Sequence, residues 1–325
     1  MKSQSQKSKK ELKEFAQTTP QQLTLFELGD EQNEDYSNTV ELYDMMPKYY
    51  LGGVKRDIGK NVDSLPVLER DFKHRGQEYK LNIYPAAIID RTTGKTIHYL
   101  PSQREELVED VLRKLAAKQR GVFLDEEAGV KFTLNEVQKE LSNIGHGYNI
   151  NEIKEAIEIC SKSVIEISSK EGNEVSISAS IFPFVAMENT DKSGLDNKVV
   201  VVFHPLVSKS INEGTFRLIN YEKLRMKMPL ARWLHKRISY VFSQATIRNP
   251  YPIKLSNIIR DSGMKEYKTI SERIRQVSKA INELIDHDVL SKFDIKKDVE
   301  GSKILDAMFF LYVSDSFVSE GFFKK

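Results

Sequence analysis

One helix and the elements around it constrain this chain most. From Ile270 to Ile285 the apolar residues Ile270, Ile274, Val277, Ile281, Leu284 and Ile285 recur at helical spacing. Such a stripe buries one face and leaves Arg273, Arg275, Gln276 and Lys279 on the others. Upstream lie an amphipathic helix expected from Tyr221, a strand-like Tyr251-Pro-Ile-Lys-Leu255, a short helix and a turn. Downstream, Val289-Leu-Ser-Lys-Phe-Asp-Ile295 reads as a strand. Helix, strand, helix, turn, helix, strand is the order of a winged helix-turn-helix, in which the last helix is offered to the DNA major groove.

The charge distribution agrees, although the total conceals it. The chain has 49 Lys+Arg and 47 Asp+Glu, a net of +2. Between Arg217 and Lys279, 15 basic residues face 4 acidic ones, a local net of +11. From Tyr79 to Ile181 the balance is 13 against 16, a net of −3. A block as basic as the first favours phosphate contacts and steering toward nucleic acid. A solvated basic face is the plain alternative, and the order of elements favours DNA.

At 325 residues there is room for about two domains and a tail. The single cysteine, Cys160, excludes a disulfide framework and suits a reducing compartment; on its apolar stripe it reads as a buried structural thiol. The apolar runs at 86–89 and 307–313 are too short to span a bilayer, and the Lys/Ser-rich start lacks a secretory signal core. The expectation is a soluble, cytoplasmic protein with no membrane contact.

Three regions are predicted, in an α+β class of two tandem winged-helix domains. Residues 1–77 are expected to be a largely disordered tail, with seven acids and no Lys or Arg between Glu27 and Asp44. Residues 78–198 form the first winged-helix domain: strands at 80–90 and 95–100, then capping boxes Ser102-Gln-Arg-Glu105 and Thr133-Leu-Asn-Glu136, each opening a helix. A third helix at 151–161 and a hairpin of strands 164–168 and 175–181 complete it. Residues 199–325 hold a strand at 199–203, the basic second winged-helix domain and a C-terminal segment. The helix at 151–161 carries three Glu to one Lys and is a poor groove reader. If the first domain touches phosphate, Lys131, Lys162 or Lys170 are the expected ligands.

Catalytic signals fail in turn. Thr92-Thr-Gly94-Lys95-Thr96 ends like a phosphate loop, but Ile89 stands where that loop needs its first glycine, and the segment joins two strands. The six histidines lack ligand spacing, so no metal and no cofactor are expected. Asp286-His287-Asp288 reads as a solvated helix end. No His-x-His pair serves the 13 tyrosines, which weighs against a nicking enzyme. The protein is expected not to be an enzyme.

Tyr221-Glu-Lys-Leu-Arg225, Leu230-Ala-Arg-Trp233 and Asn249-Pro-Tyr-Pro-Ile-Lys-Leu255, with the helix pair that follows, resemble the second winged helix of the iteron-binding replication initiators of bacterial plasmids. Within that TrfA and RepA group the likeness is greatest to TrfA. It covers roughly residues 79–295 and is firmest at 220–290. Gln22-Leu23-Thr24-Leu25-Phe26 is similar to the peptide by which replication proteins dock on the bacterial sliding clamp. Leu25 and Phe26 suit a preformed apolar pocket, and Gln22 offers an amide to anchor the near end.

The resemblance implies an initiator that binds repeated duplex sites at a plasmid origin, strains an adjacent A+T-rich segment and recruits host machinery. Its implied partners are iteron DNA, single-stranded A+T-rich DNA, the sliding clamp, the replicative helicase, the host initiator and a second copy in equilibrium with monomer. The first domain would serve dimerisation. The expected DNA contacts are Arg273 and Arg275, with Lys268, Thr269, Ser271, Gln276 and Lys279 beside them. Lys254, Arg232, Lys236 and Arg237 are expected on backbone phosphates, some of them covering apolar neighbours. The clamp contacts would be Gln22, Leu23, Leu25 and Phe26. A winged-helix repressor of its own gene is the rival reading; it shares every DNA contact and does not need the Gln22–Phe26 peptide.

Overall fold

The computed structural model describes residues 36–51, 67–89, 93–124, 127–170, 176–188, 197–221, 225–242, 245–265 and 267–321. The Gln22–Phe26 peptide lies outside them.

Order begins earlier than the sequence suggested. Strand β1 (Tyr36–Thr39), helix α1 (Glu41–Met45) and strand β2 (Leu68–His74) all lie inside the span read as tail. Val40, Tyr43, Met45, Met46, Tyr49 and Phe72 are buried there. Elements this short show no countable period, which is why the segment looked unstructured. β1 pairs antiparallel with β12 (Arg217–Asn220), Tyr36 opposite Asn220, and so ties the start of the described chain to the link between its two halves.

The first unit continues with β3 (Gln77–Tyr84), β4 (Ala86–Ile89), β5 (Thr96–Tyr99), α2 (Gln103–Leu115), β6 (Gly121–Leu124), β7 (Glu127–Thr133), α3 (Leu134–Asn143) and α4 (Ile150–Lys162). Then come β8 (Val164–Ser169), β9 (Ser176–Ser180), β10 (Phe184–Met187), β11 (Lys198–Val202) and α5 (Pro205–Asn212). Both expected capping boxes form. The Glu105 carboxylate accepts from the Ser102 N–H at 2.8 Å, and the Glu136 carboxylate accepts from the Thr133 N–H at 2.7 Å. The expected hairpin forms as β8–β9, with Val164 opposite Ser180, inside a sheet ordered β2-β3-β8-β9.

A second sheet, β10-β11-β7-β6, moves the expected boundary. The strand assigned to the start of the second unit is β11, and it pairs with β7 of the first, Val201 opposite Val130. The first core accordingly runs through Phe203, Val207, Ile211 and Tyr221.

The second core is separate and starts at Met226. Its elements are α6 (Pro229–Val241), β13 (Tyr251–Lys254), α7 (Leu255–Ser262), α8 (Ile270–Asp286), β14 (Leu290–Glu300), β15 (Lys303–Val313) and α9 (Asp315–Gly321). Pro229 sets where α6 begins, eight residues after the expected start at Tyr221, because proline suits the first helical turn and not an interior. Helix, strand, helix, helix, strand and strand follow in the expected order. The three strands form one sheet, β13-β15-β14. Trp233, Leu234, Ile253, Val277, Ile281, Phe309 and Leu311 fill the space between that sheet and the helices.

Candidate nucleic-acid interface

α7 closes on Gly263, whose φ of +65° puts it in the left-handed region. A side chain there would also run into the Arg70 guanidinium and Pro47, so the turn into α8 lies against the first unit. Asp261, buried at the end of α7, accepts from the Lys73 N–H of β2 at 3.0 Å and from the Arg260 guanidinium at 2.6 Å. The helix pair is therefore held from behind, with its second helix facing outward.

α8 is built as its periodicity predicted. Ile274, Val277, Ala280, Ile281 and Leu284 are buried, while Ser271, Arg275 and Lys279 are exposed, as are Lys268 and Thr269 just ahead of them. The Thr269 hydroxyl caps the helix, accepting from the Glu272 N–H at 3.2 Å. On the exposed face Glu272 gathers two donors, Arg275 at 2.7 Å and Gln276 at 2.8 Å. These hydrogen bonds hold the Glu272 carboxyl below its ordinary value. Arg275 thus sits preformed beside the helix and accessible to a ligand. Arg273 is half-buried, and its Nε donates to the Tyr267 carbonyl at 2.7 Å, so part of this residue is committed to the turn. Glu283, on the last turns of α8, accepts from the Met228 N–H at 2.9 Å and so caps the start of α6.

Three of the residues expected on backbone phosphates do something else. Arg232 is fully buried and donates to Glu106 at 2.6 Å and to the Met226 carbonyl at 2.7 Å. Lys236 is buried and reaches Asp110 at 2.7 Å. Arg237 is half-buried, bonded to the Tyr251 hydroxyl at 3.1 Å and 3.6 Å from Asp261. Burial on this scale removes Arg232 and Lys236 from any phosphate. Of that group only Lys254, at the start of α7, is exposed.

Arg232 and Lys236 belong instead to a buried ionic seam between the units. Glu106, Glu109, Asp110 and Arg113 come from α2, and Asp44 and Lys48 from α1 and the residues after it. Arg113 reaches Asp44 at 2.6 Å, Lys48 lies 3.6 Å from Glu109, and the Tyr49 hydroxyl donates to Glu109. Four acids and four bases close the account locally. Burial alone would lower the Lys236 ammonium, yet Asp110, Asp44 and Glu106 hold it above its ordinary value. Burial likewise opposes the charged form of Asp44, and Arg113 and Lys48 overcome it, keeping its carboxyl well below the usual range.

The sheet adds cations that the sequence reading passed over. β14 and β15 form a hairpin of 11 residues a side, turning at Gly301 with φ +60°. Lys292, Lys296, Lys297 and Lys303 are exposed on it. The reading ended the strand at Ile295 and treated Ala307–Val313 only as an apolar run. Two strand-like runs on either side of Gly301-Ser302 were the available signal.

In the first unit the helix pair is α3–α4, and the outer surface of α4 is occupied by internal pairs. Glu158 meets Lys162 at 2.6 Å and Glu155 meets Arg104 at 2.6 Å. Lys170 pairs with Asp71 at 2.7 Å, and Lys131 is half-buried.

No protein-family model matches this chain, and no curated protein matches it. Among solved structures it is similar to domain 2 and domain 3 of RctB, with a TM-score of 0.50 at 10% identity, covering 83% of this chain and 99% of that one. Another structure of RctB domains 2–3 gives 0.47 at 11% identity over 81% and 96%. The Pi initiator protein in complex with iteron DNA gives 0.43 at 14% identity over 65% and 91%. The first of these likenesses is one of fold, a mixed helix-and-sheet architecture. No helix among the described residues is long and apolar enough to cross a membrane.

Proposed function

We propose that the chain is a replication initiator of the iteron-binding kind, built from tandem winged-helix domains, that acts by binding duplex DNA rather than by catalysis. The observation that carries this reading is the outward face of α8. A capped, amphipathic helix presents Lys268, Thr269, Ser271, Arg275 and Lys279 together, with Lys254 and the lysines of the β14–β15 hairpin beside it. In this geometry α8 enters the major groove, the helix start and its hydroxyls meet phosphate, and the hairpin is the wing. Arg275 pairs with a guanine edge once it exchanges Glu272 for the base. The buried seam supports one further feature of the reading, since it fixes the separation of the two units along DNA.

The finer parts of the proposal are a kinship with TrfA, a sliding-clamp contact through Gln22, Leu23, Leu25 and Phe26, and dimerisation through the first unit. They rest on the sequence motifs. The test uses the full chain. Duplexes recovered from a random-sequence library should share a short site, and Arg275→Ala should weaken the preference for it over scrambled DNA by about 1–3 kcal/mol. Recovery of no common site would sink the reading. On the same protein, Leu25→Ala with Phe26→Ala should end capture by purified sliding clamp and leave duplex affinity unchanged. Clamp capture that survives the double substitution would remove the replisome contact and favour a repressor.

A further inference from the structure

β14 is the end strand of its sheet. It pairs antiparallel with β15 on one side and meets no strand on the other among the described residues. Every second residue therefore turns its N–H and C=O away from β15, toward solvent. From Lys292 to Asp298 the register with β15 is unbroken, and irregularities bound that stretch at both ends. All seven residues are exposed except Phe293, which is half-buried.

Alternation divides the stretch. Phe293, Ile295 and Lys297 lie opposite Leu311, Phe309 and Ala307, which are buried, and so belong to the inner face. Lys292, Asp294, Lys296 and Asp298 take the outer face, with cation and acid in strict alternation. The Tyr312 ring lies under Lys292 at 4.5 Å, and its hydroxyl donates to Asp294. None of the four makes an ion pair within the described residues, and Asp298 stands opposite another acid, Asp306.

We infer that this edge pairs with the same edge of a second copy, antiparallel, about a two-fold axis at Ile295. The order of charges is what requires that register. An axis there sets Lys292 against Asp298 and Asp294 against Lys296, and symmetry doubles both contacts. On the inner face Ile295 meets its twin, and the Lys297 ammonium reaches the Phe293 ring across the axis. Facing positions in a sheet share a face, so the axis moves only by whole residues. One step either way is repulsive. At Asp294 the axis sets Asp294 against itself and Lys292 against Lys296; at Lys296 it sets Lys296 against itself and Asp294 against Asp298. Ile295 is also the midpoint of the unbroken stretch, so the longest regular pairing and the best charge match coincide. Charges on an edge strand ordinarily keep copies apart, and here their order favours one pairing instead. The contact is separate from the one proposed for the first unit and does not depend on DNA.

A strand pair this short buries far less than a standard interface, so covalent trapping of the full chain is the suitable measurement. Cys160, the only native cysteine, is fully buried. Across the axis the two 295 positions stand about 4.5–5.5 Å apart at Cα, within disulfide range. Ile295→Cys should therefore give a disulfide-linked dimer under mild oxidation. Val299→Cys should not, although Val299 is 56% exposed, because the pairing holds its two copies about 26 Å apart. In the Ile295→Cys background, Lys296→Asp sets acid against acid at both 294–296 contacts and should end the linkage. Asp294→Lys sets base against base there and should end it as well. An equal mixture of these two variants restores opposite charge at every contact and should link again, which a loss of folding would not allow. Linkage at Val299→Cys as fast as at Ile295→Cys would overturn the pairing in favour of random collision. So would an Ile295→Cys chain that never links, or a charge-swapped mixture that stays unlinked.

Discussion

α6 and α8 are amphipathic helices of one unit, both carry Arg and Lys off their apolar stripes, and they use those cations in opposite ways. On α6, Arg232 and Lys236 turn inward to Glu106 and Asp110 of the first unit. On α8, Arg275 and Lys279 stay in solvent. What separates them is the neighbour: α6 packs beside an acidic helix, and α8 packs on a sheet that leaves its far face open. The net of +11 between Arg217 and Lys279 is thus partly matched inside the molecule by acids from the region whose net is −3. A basic block measures what a surface offers only after such pairs are removed.

The largest expected effect lies in the seam. Lys236→Met strands Asp110 in a buried site, and breaking a pair of this kind typically costs about 3–5 kcal/mol. Replacing both partners, Lys236→Met with Asp110→Leu, should restore most of that loss. Arg275→Ala should change stability by less than about 0.5 kcal/mol, as exposed substitutions do. Denaturant unfolding of the three proteins measures the contrast. A Lys236→Met protein as stable as Arg275→Ala would erase the distinction between the helices.

Next comes acid sensitivity, which should also belong to the buried side. His204 caps α5, its Nδ1 accepting from the Leu206 N–H at 3.2 Å, and its ring lies 4.9 Å from that of Tyr43. Burial, with Lys48 adding repulsion, pushes its pKa down to about 4 from 6.5. The folded protein then binds the proton less readily than the unfolded chain. The penalty is absent above pH 6.5, grows as pH falls, and is complete below about 4, at about 3 kcal/mol. Unfolding midpoints at neutral pH and in the mildly acidic range should diverge in wild type and converge in His204→Gln. Equal divergence in both would place the acid sensitivity elsewhere.

Much of this was legible in the sequence, and the exceptions share a cause. The stripe of α8 and the boxes at Ser102 and Thr133 are local patterns, and they formed where the residues indicated. The reading failed where a partner far along the chain decides the outcome. Residues 36–51 are ordered by α2, α6 and β12, β11 joined the first unit because β7 is its neighbour, and Arg232 lies 126 positions from the carboxylate that buries it. The hairpin lysines were missed for a different reason: past Ile295 the strand β14 runs through the mostly polar Lys296–Glu300, which carries little apolar alternation to mark it.

Arg275→Ala should weaken binding to a selected duplex by about 1–3 kcal/mol if the guanidinium contacts a base. Arg273→Ala should differ in kind, because losing its bond to the Tyr267 carbonyl loosens the turn. It should lower stability as well as affinity. Paired measurements of unfolding and of binding to cognate and scrambled duplexes separate the two. Identical profiles for both variants would mean that the half-buried and exposed arginines are not distinguished as the geometry requires.

The smallest effect concerns salt, and it divides the cations most finely. A lysine that neutralises one phosphate contributes about 0.9 to the log–log salt slope of binding, whatever the sequence of the duplex. Lys279 is exposed on α8, Lys254 at the start of α7 and Lys303 on the hairpin, so each changed to Ala should lower the slope by about that amount and weaken specific and scrambled duplexes alike. Lys236 is a lysine of the same unit with the same formal charge, yet its ammonium already faces Asp110 at 2.7 Å. The Lys236→Met, Asp110→Leu protein should therefore keep the wild-type slope, since the two changes remove a neutral pair that no counterion serves. Binding titrations across a series of salt concentrations resolve a difference of this size. A slope lowered in the double variant would mean that the seam opens on DNA and lends its cations to phosphate, whereas an unchanged slope in all three exposed variants would move the phosphate path off this face.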